Sequence, residues 1–128
     1  MKRLLCRLSL RAAMLFCLLS GVSLAHHSPA AFDRTNPLLV EGTVEEFKWT
    51  NPHSWLFVQV PNDNGGTDKW SLEGGSTSVM IRNGWKSSSL QPGMKVKALI
   101  APNRDGSNGG ELLSVTFEDG KVLAFGII

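Results

Sequence analysis

The sequence predicts a mainly β protein, a small OB-like barrel of five to six strands with one short helix between strands 3 and 4. Three observations predict it. Short runs rich in Val, Ile, Phe, Trp and Thr alternate with clusters of Gly, Pro, Asn and Asp. One stretch, beginning at Ser76, abandons the two-residue period. It falls after the third run and before the fourth, where a helix plugs one end of such a barrel. A plain β-sandwich is the alternative, and the helix placement argues against it.

The first run is Leu38 to Trp49. Val40, Gly42 and Val44 share one parity, and Phe47 and Trp49 fall on the other. That phase slip at Glu45-Glu46 predicts a bulge, and Gly42 eases a bend. The second run, Ser54 to Val60, alternates Leu56, Val58 and Val60 with Trp55, Phe57 and Gln59. Pro61 and the turn Asn62-Asp63-Asn64-Gly65-Gly66 end it. The third is Thr67 to Glu73, stopped by Gly74-Gly75. Ser76 is then an N-cap, and Thr77 to Asn83 makes about two helical turns with Val79, Met80 and Ile81 as an apolar side. Asn83-Gly84 stops that helix. Pro92-Gly93 launches a fourth strand, Met94 to Ala101, in which Val96, Ala98 and Ile100 alternate with Lys95 and Lys97. A loop over 102–110 leads to a fifth strand, Glu111 to Phe117. Asp119-Gly120 is a hairpin turn into a last strand, Lys121 to Phe125.

The N-terminus reads as an export signal over residues 1–25. Lys2, Arg3, Arg7 and Arg11 precede an apolar stretch from Ala12 to Val22, too short to span a bilayer, and Ser23 and Ala25 suit a leader peptidase. Residues 26–37 are an extended lead-in. Residues 38–128 form a single barrel domain. Cleavage after Ala25 removes four cations, leaving nine Lys and Arg against eleven Asp and Glu, so the precursor's +2 becomes −2. A mildly acidic chain without a basic run is a poor nucleic-acid binder. Cys6 and Cys17 leave too, so the mature chain has no disulfide and no thiolate ligand. The expected product is soluble, periplasmic or secreted, without stable membrane insertion.

The same cut exposes the sharpest chemistry. The mature chain begins His26-His27, and the third of the three histidines is His53. A terminal His26 offers its α-amine and a ring nitrogen, which close a chelate, and His53 or His27 completes a planar nitrogen set. Nitrogen ligands in a plane favour Cu(II), with zinc second. His26, His27 and His53 are therefore the candidate metal ligands. The aromatic content suggests a rival. Trp49, Asn51, Trp55 and Phe57 form a candidate platform for a glycan, a peptide or a small apolar ligand. The competing expectation is that the lead-in, with Phe32, lies across that face. A copper-dependent oxidase is a third reading, weakened by the lack of a substrate surface. No catalytic residue stands out. His53 and Ser54 are neighbours on a strand and point to opposite faces. The loop Asp105 to Gly110 lacks the spacing of a calcium loop. Binding is expected over catalysis.

The segments AHHS, AAFDR, GTVEEFKWTNPHSW, EGG, GW, PGMKVK and DGSN together resemble a family of small exported bacterial proteins of unassigned function. The likeness runs from Ala25 to about Val122, and it implies one exported domain. Both histidine positions belong to the pattern, which implies a shared site. A weaker likeness to periplasmic OB-fold proteins rests on strand order alone.

Overall fold

The computed structural model describes residues 29–125. A single 3-10 turn, Pro29–Ala31, comes first. Then follow β1 (Leu38–Lys48), β2 (Trp55–Pro61), β3 (Thr67–Glu73), the helix α1 (Thr77–Arg82), β4 (Lys95–Pro102), β5 (Gly109–Phe117) and β6 (Val122–Ala124).

β1 is long because it serves two partners. Leu38 to Thr43 pair antiparallel with β4, and Thr43 to Lys48 pair antiparallel with β2. β2 continues to β3 and β4 to β5, both antiparallel. A short parallel ladder, residues 71–73 of β3 against 109–111 of β5, closes the circuit β1-β2-β3-β5-β4-β1. β6 lies along β5 as a strand outside the closure. Five closed strands with one helix between β3 and β4 make the OB-like barrel expected from the pattern of runs.

The seam depends on glycine. A side chain on Gly109 or Gly110 would strike the backbone carbonyl of Ser71 or of Ala101. Only a residue without Cβ lets three strands approach this closely. The bulge in β1 lies where the phase slip places it, with the register shifting between Val44 and Glu46. Beyond it Phe47 and Trp49 turn to the core side and pack against it. A second shift, between Leu99 and Ile100, leaves Leu113 of β5 without a partner on β4, while its carbonyl accepts from Phe125 N–H.

The two-residue period sorts the faces. Leu56, Val58, Leu72, Val96, Ala98, Ile100 and Val115 fill the barrel, all but inaccessible to water. Each large aliphatic chain buried this way contributes about 1.5–3 kcal/mol by area removed from water. Met80, Trp85 and Leu90 stopper one end. Trp85 stacks on Phe125 at 5.2 Å and donates its Nε1–H to the Ala124 carbonyl at 3.3 Å.

Several boundaries differ from expectation. Ser76 is the N-cap, its hydroxyl accepting from Val79 N–H, but the helix stops at Arg82 and Asn83 caps it. Ile81 is 62% exposed, so the helix presents Met80, not Ile81, to the core. The loop expected over 102–110 is shorter, because Pro102 still pairs with Gly110. The lead-in is not simply extended. After its 3-10 turn, Phe32 bridges Asn103, Asp33 N–H donates to Pro102 O, and Arg104 N–H donates to Ala31 O. The expected signal over residues 1–25, and His26 and His27, lie outside the described residues. Among those described, no helix is long and apolar enough to cross a membrane.

Candidate functional site

His53 is placed by the connection between β1 and β2, which is tied to the start of α1. The Asn51-Pro52 peptide is cis. Next to it, Asn51 Oδ1 accepts from the backbone N–H of Thr77 at 3.0 Å and from its hydroxyl at 3.1 Å. Fully buried Ser54 donates its N–H to Gly75 O and accepts from Gly74 N–H. Held on both sides, His53 brings Nδ1 to 2.8 Å from Glu73 Oε1. The imidazole is 46% exposed, and the carboxylate only 7%.

That contact sets the histidine's chemistry. Two lone pairs 2.8 Å apart would repel. In the neutral ring the proton therefore sits on Nδ1 and the lone pair on Nε2. A carboxylate holding one ring nitrogen so that the other can bind is the usual support of a metal-ligating histidine.

Glu73 ends β3 and pairs across the seam with Glu111. The lead-in supplies a cation to this pair of carboxylates. Arg34 grips Glu111 through two parallel bonds, Nε to Oε2 and Nη2 to Oε1, each 2.7 Å. Bonding to that carboxylate raises the Arg34 pKa further. The neighbouring Asp33 is held down to about 2 by the Thr35 hydroxyl first, then by the Asn36 amide and the Thr35 N–H. The Arg34–Glu111 pair fixes the lead-in beside the barrel seam, and the Asp33 bonds shape the turn that follows Arg34.

Two recesses result. One, of about 530 Å³, is lined by His53, Glu73, Arg34 and Glu111 over an apolar floor that includes Val79 and Phe125. The other, of about 320 Å³, lies against Trp55, Asn103 and Asp105. Phe32 and Glu73 line both.

The candidate platform is divided by the fold. Trp55 and Phe57 do stack, with centroids 6.4 Å apart and planes inclined 17°, on the outer face of β2. Trp49 does not join them. The bulge sends it to the other face, edge-on to Phe47 at 5.7 Å. Asn51 is engaged with α1. Phe57 is itself covered: Lys69 Nζ lies 4.7 Å and Lys48 Nζ 5.2 Å from its ring centre. The lead-in approaches Trp55, with Phe32 on the same recess.

The ligand set expected for a metal is only partly within view. Of its three histidines the described residues contain His53, and among them no group of three or more His, Cys, Asp or Glu is arranged to hold a metal ion. Glu73, Glu111 and Arg34 are the site residues that sequence reasoning missed, whereas Phe32 lines the recess beside Trp55 as the competing expectation for the lead-in had it. One signal for Glu73 was present, since it directly follows buried Leu72 and precedes Gly74-Gly75, where a solvated carboxylate has little room.

The fold and the cavity define a small, closed, mainly β barrel with a carboxylate-held histidine beside its seam, and such an architecture does not by itself name a chemistry. The chain belongs to a family of unknown function, DUF6152, whose sequence profile matches residues 14–112. No curated protein and no solved structure matches it.

Proposed function

We propose that this is an exported metal-binding module, with Cu(II) as the first-choice ion and Zn(II) as the second. His53 binds through Nε2. The amine and ring of His26, freed by signal cleavage after Ala25, supply two more nitrogens, and His27 is the candidate further ligand. The observation that carries this reading is the 2.8 Å contact between His53 Nδ1 and buried Glu73. It prepares the opposite nitrogen for a metal. Chain length is compatible: His26 lies six positions before Phe32, which shares a cavity with His53, and the three steps from His26 to the 3-10 turn at Pro29 can span up to about 10 Å. The cavity's charged side chains are two carboxylates and one guanidinium, so with a neutral His53 it favours a cation. The role is binding, and the export route delivers the protein to the periplasm or the exterior.

The test is a Cu(II) competition titration of protein whose His26 terminus is verified by mass spectrometry. It is run beside His53→Ala and a form with one extra residue before His26. Binding far tighter than a His-His peptide, weakened sharply by either change, supports the reading. Full affinity in the extended form removes the terminal amine from the site. Full affinity in His53→Ala removes the barrel from it.

A further inference from the structure

The recess on the far side of Phe32 differs in chemistry from the cavity around His53. Two aromatic residues, Phe32 and Trp55, are among the residues that line it. Its polar lining is Ser71, Asn103, Asp105 and Glu73. Two of these are carboxylates, and no lysine or arginine lines it. The nearby cations are engaged elsewhere: Arg34 grips Glu111, and Arg104 lies 3.5 Å from Asp33. Asp105 is anchored by the N–H of Ser107 at 2.9 Å and by its hydroxyl at 2.6 Å. Those bonds keep its carboxyl below the usual range, hence ionised. Glu73 is more than nine-tenths buried, so its charge acts through little water.

The adjoining ring lies beside two cations, which Glu45 and Glu46 also hold. Phe57, stacked on Trp55, carries the ammonium groups of both Lys48 and Lys69. Indole attracts a cation more strongly than a phenyl ring does. Among the described residues Trp55 has no such cation over it, and its recess has the size of a small organic group.

We propose that the recess between Phe32 and Trp55 binds an organic ammonium group, of the quaternary or alkylated kind, with the rings as walls and Asp105 and Glu73 as counter-charges. This site goes beyond the metal reading: its recess needs neither His26 nor His53, although Phe32 and Glu73 line both cavities and Glu73 also holds His53. A neutral sugar is the competing occupant, since it too stacks on tryptophan and bonds to carboxylates and amides. The two negative charges favour the cation.

The test uses protein expressed from the full coding sequence and purified after export, labelled with nitrogen-15. Choline is titrated at constant ionic strength, followed by the Trp55 indole and Asn103 amide signals. The neutral isostere 3,3-dimethylbutanol and glucose are titrated in parallel. Choline is expected to shift both signals saturably and to bind about tenfold or more tightly than the isostere. Asp105→Asn, a surface change, is expected to erase most of that preference. Trp55→Phe is expected to keep part of the affinity that Trp55→Ala loses, which separates ring loss from misfolding. Equal binding of choline and the isostere would overturn the proposal, as would preferential binding of glucose. So would the absence of any saturable shift at tens of millimolar choline in the folded protein.

Discussion

Glu73 is the residue whose replacement reads the proposed metal site most clearly. Its carboxylate is 7% exposed and touches His53 at 2.8 Å. Glu73→Gln keeps the volume and an acceptor oxygen, and removes the charge. Glu73→Ala removes the acceptor as well. Losing the group that holds a ligating histidine costs 10–100-fold in metal affinity in characterised sites (about 1.4–2.7 kcal/mol). His53 is 46% exposed, so water partly replaces the lost partner and the low end applies, about tenfold for Glu73→Ala. Glu73→Gln should fall between that variant and the wild type. Both should fold, because Glu73 lies on the outer face of β3 while Leu72 fills the barrel. The assay is competition for Cu(II) against a chelator of known affinity, with thermal melts alongside. The expected order of affinity is wild type, Glu73→Gln, Glu73→Ala, then His53→Ala. Wild-type affinity in a folded Glu73→Ala protein, with His53→Ala impaired, would refute the argument that the carboxylate prepares the imidazole.

Three further outcomes follow from the same geometry. Trp85→Ala removes a 1% exposed ring that stacks on Phe125, and should cost about 3–5 kcal/mol by chemical denaturation, a large part of a small domain's stability. Asn51→Ala frees the N–H and hydroxyl of Thr77 and should cost about 1 kcal/mol, while leaving any ligand response at Trp55 unchanged in the same titration. Asp33 has a folded-state pKa of about 2, below its ordinary 3.8, through its bonds to Thr35 and Asn36, so its contribution to holding the 33–36 turn is fully present above pH 3.8 and is lost as the pH falls through about 2. Carbon-detected NMR of the Asp33 carboxyl, with the Arg104 amide as reporter, should show both changing together in that window.

Local patterns carried most of the fold into view. The parity of Leu56, Val58 and Val60 against Trp55, Phe57 and Gln59 assigns the two faces of β2. The slip from Val44 to Phe47 locates the bulge, and Ser76 and Asn83-Gly84 bracket the helix to within a residue. What stayed hidden was non-local. The parallel seam that sets Glu73 beside Glu111 joins strands separated by the helix and β4, and no spacing announces it. The lead-in's attachment rests on Arg34 reaching Glu111, 77 positions on. Trp49 looked like part of a platform because the bulge was foreseen and its consequence for the following face was not. Asn51 looked like a ligand contact because its partner, Thr77, comes from the far side of β3. His53 stood out by its rarity and its place in the family pattern, and the carboxylate that holds its ring came into view only with the structure.

The central claim is that His53 ligates the metal through Nε2 while Nδ1 stays with Glu73. Pulsed electron paramagnetic resonance of the one-to-one Cu(II) protein tests it most directly, because the remote nitrogen of each ligating imidazole modulates the echo. Modulation from His53 that disappears in His53→Ala, with the remainder assigned to the N-terminus, is the predicted result. A Cu(II) spectrum identical in the wild type and His53→Ala would contradict the account and leave only a metal-binding tail.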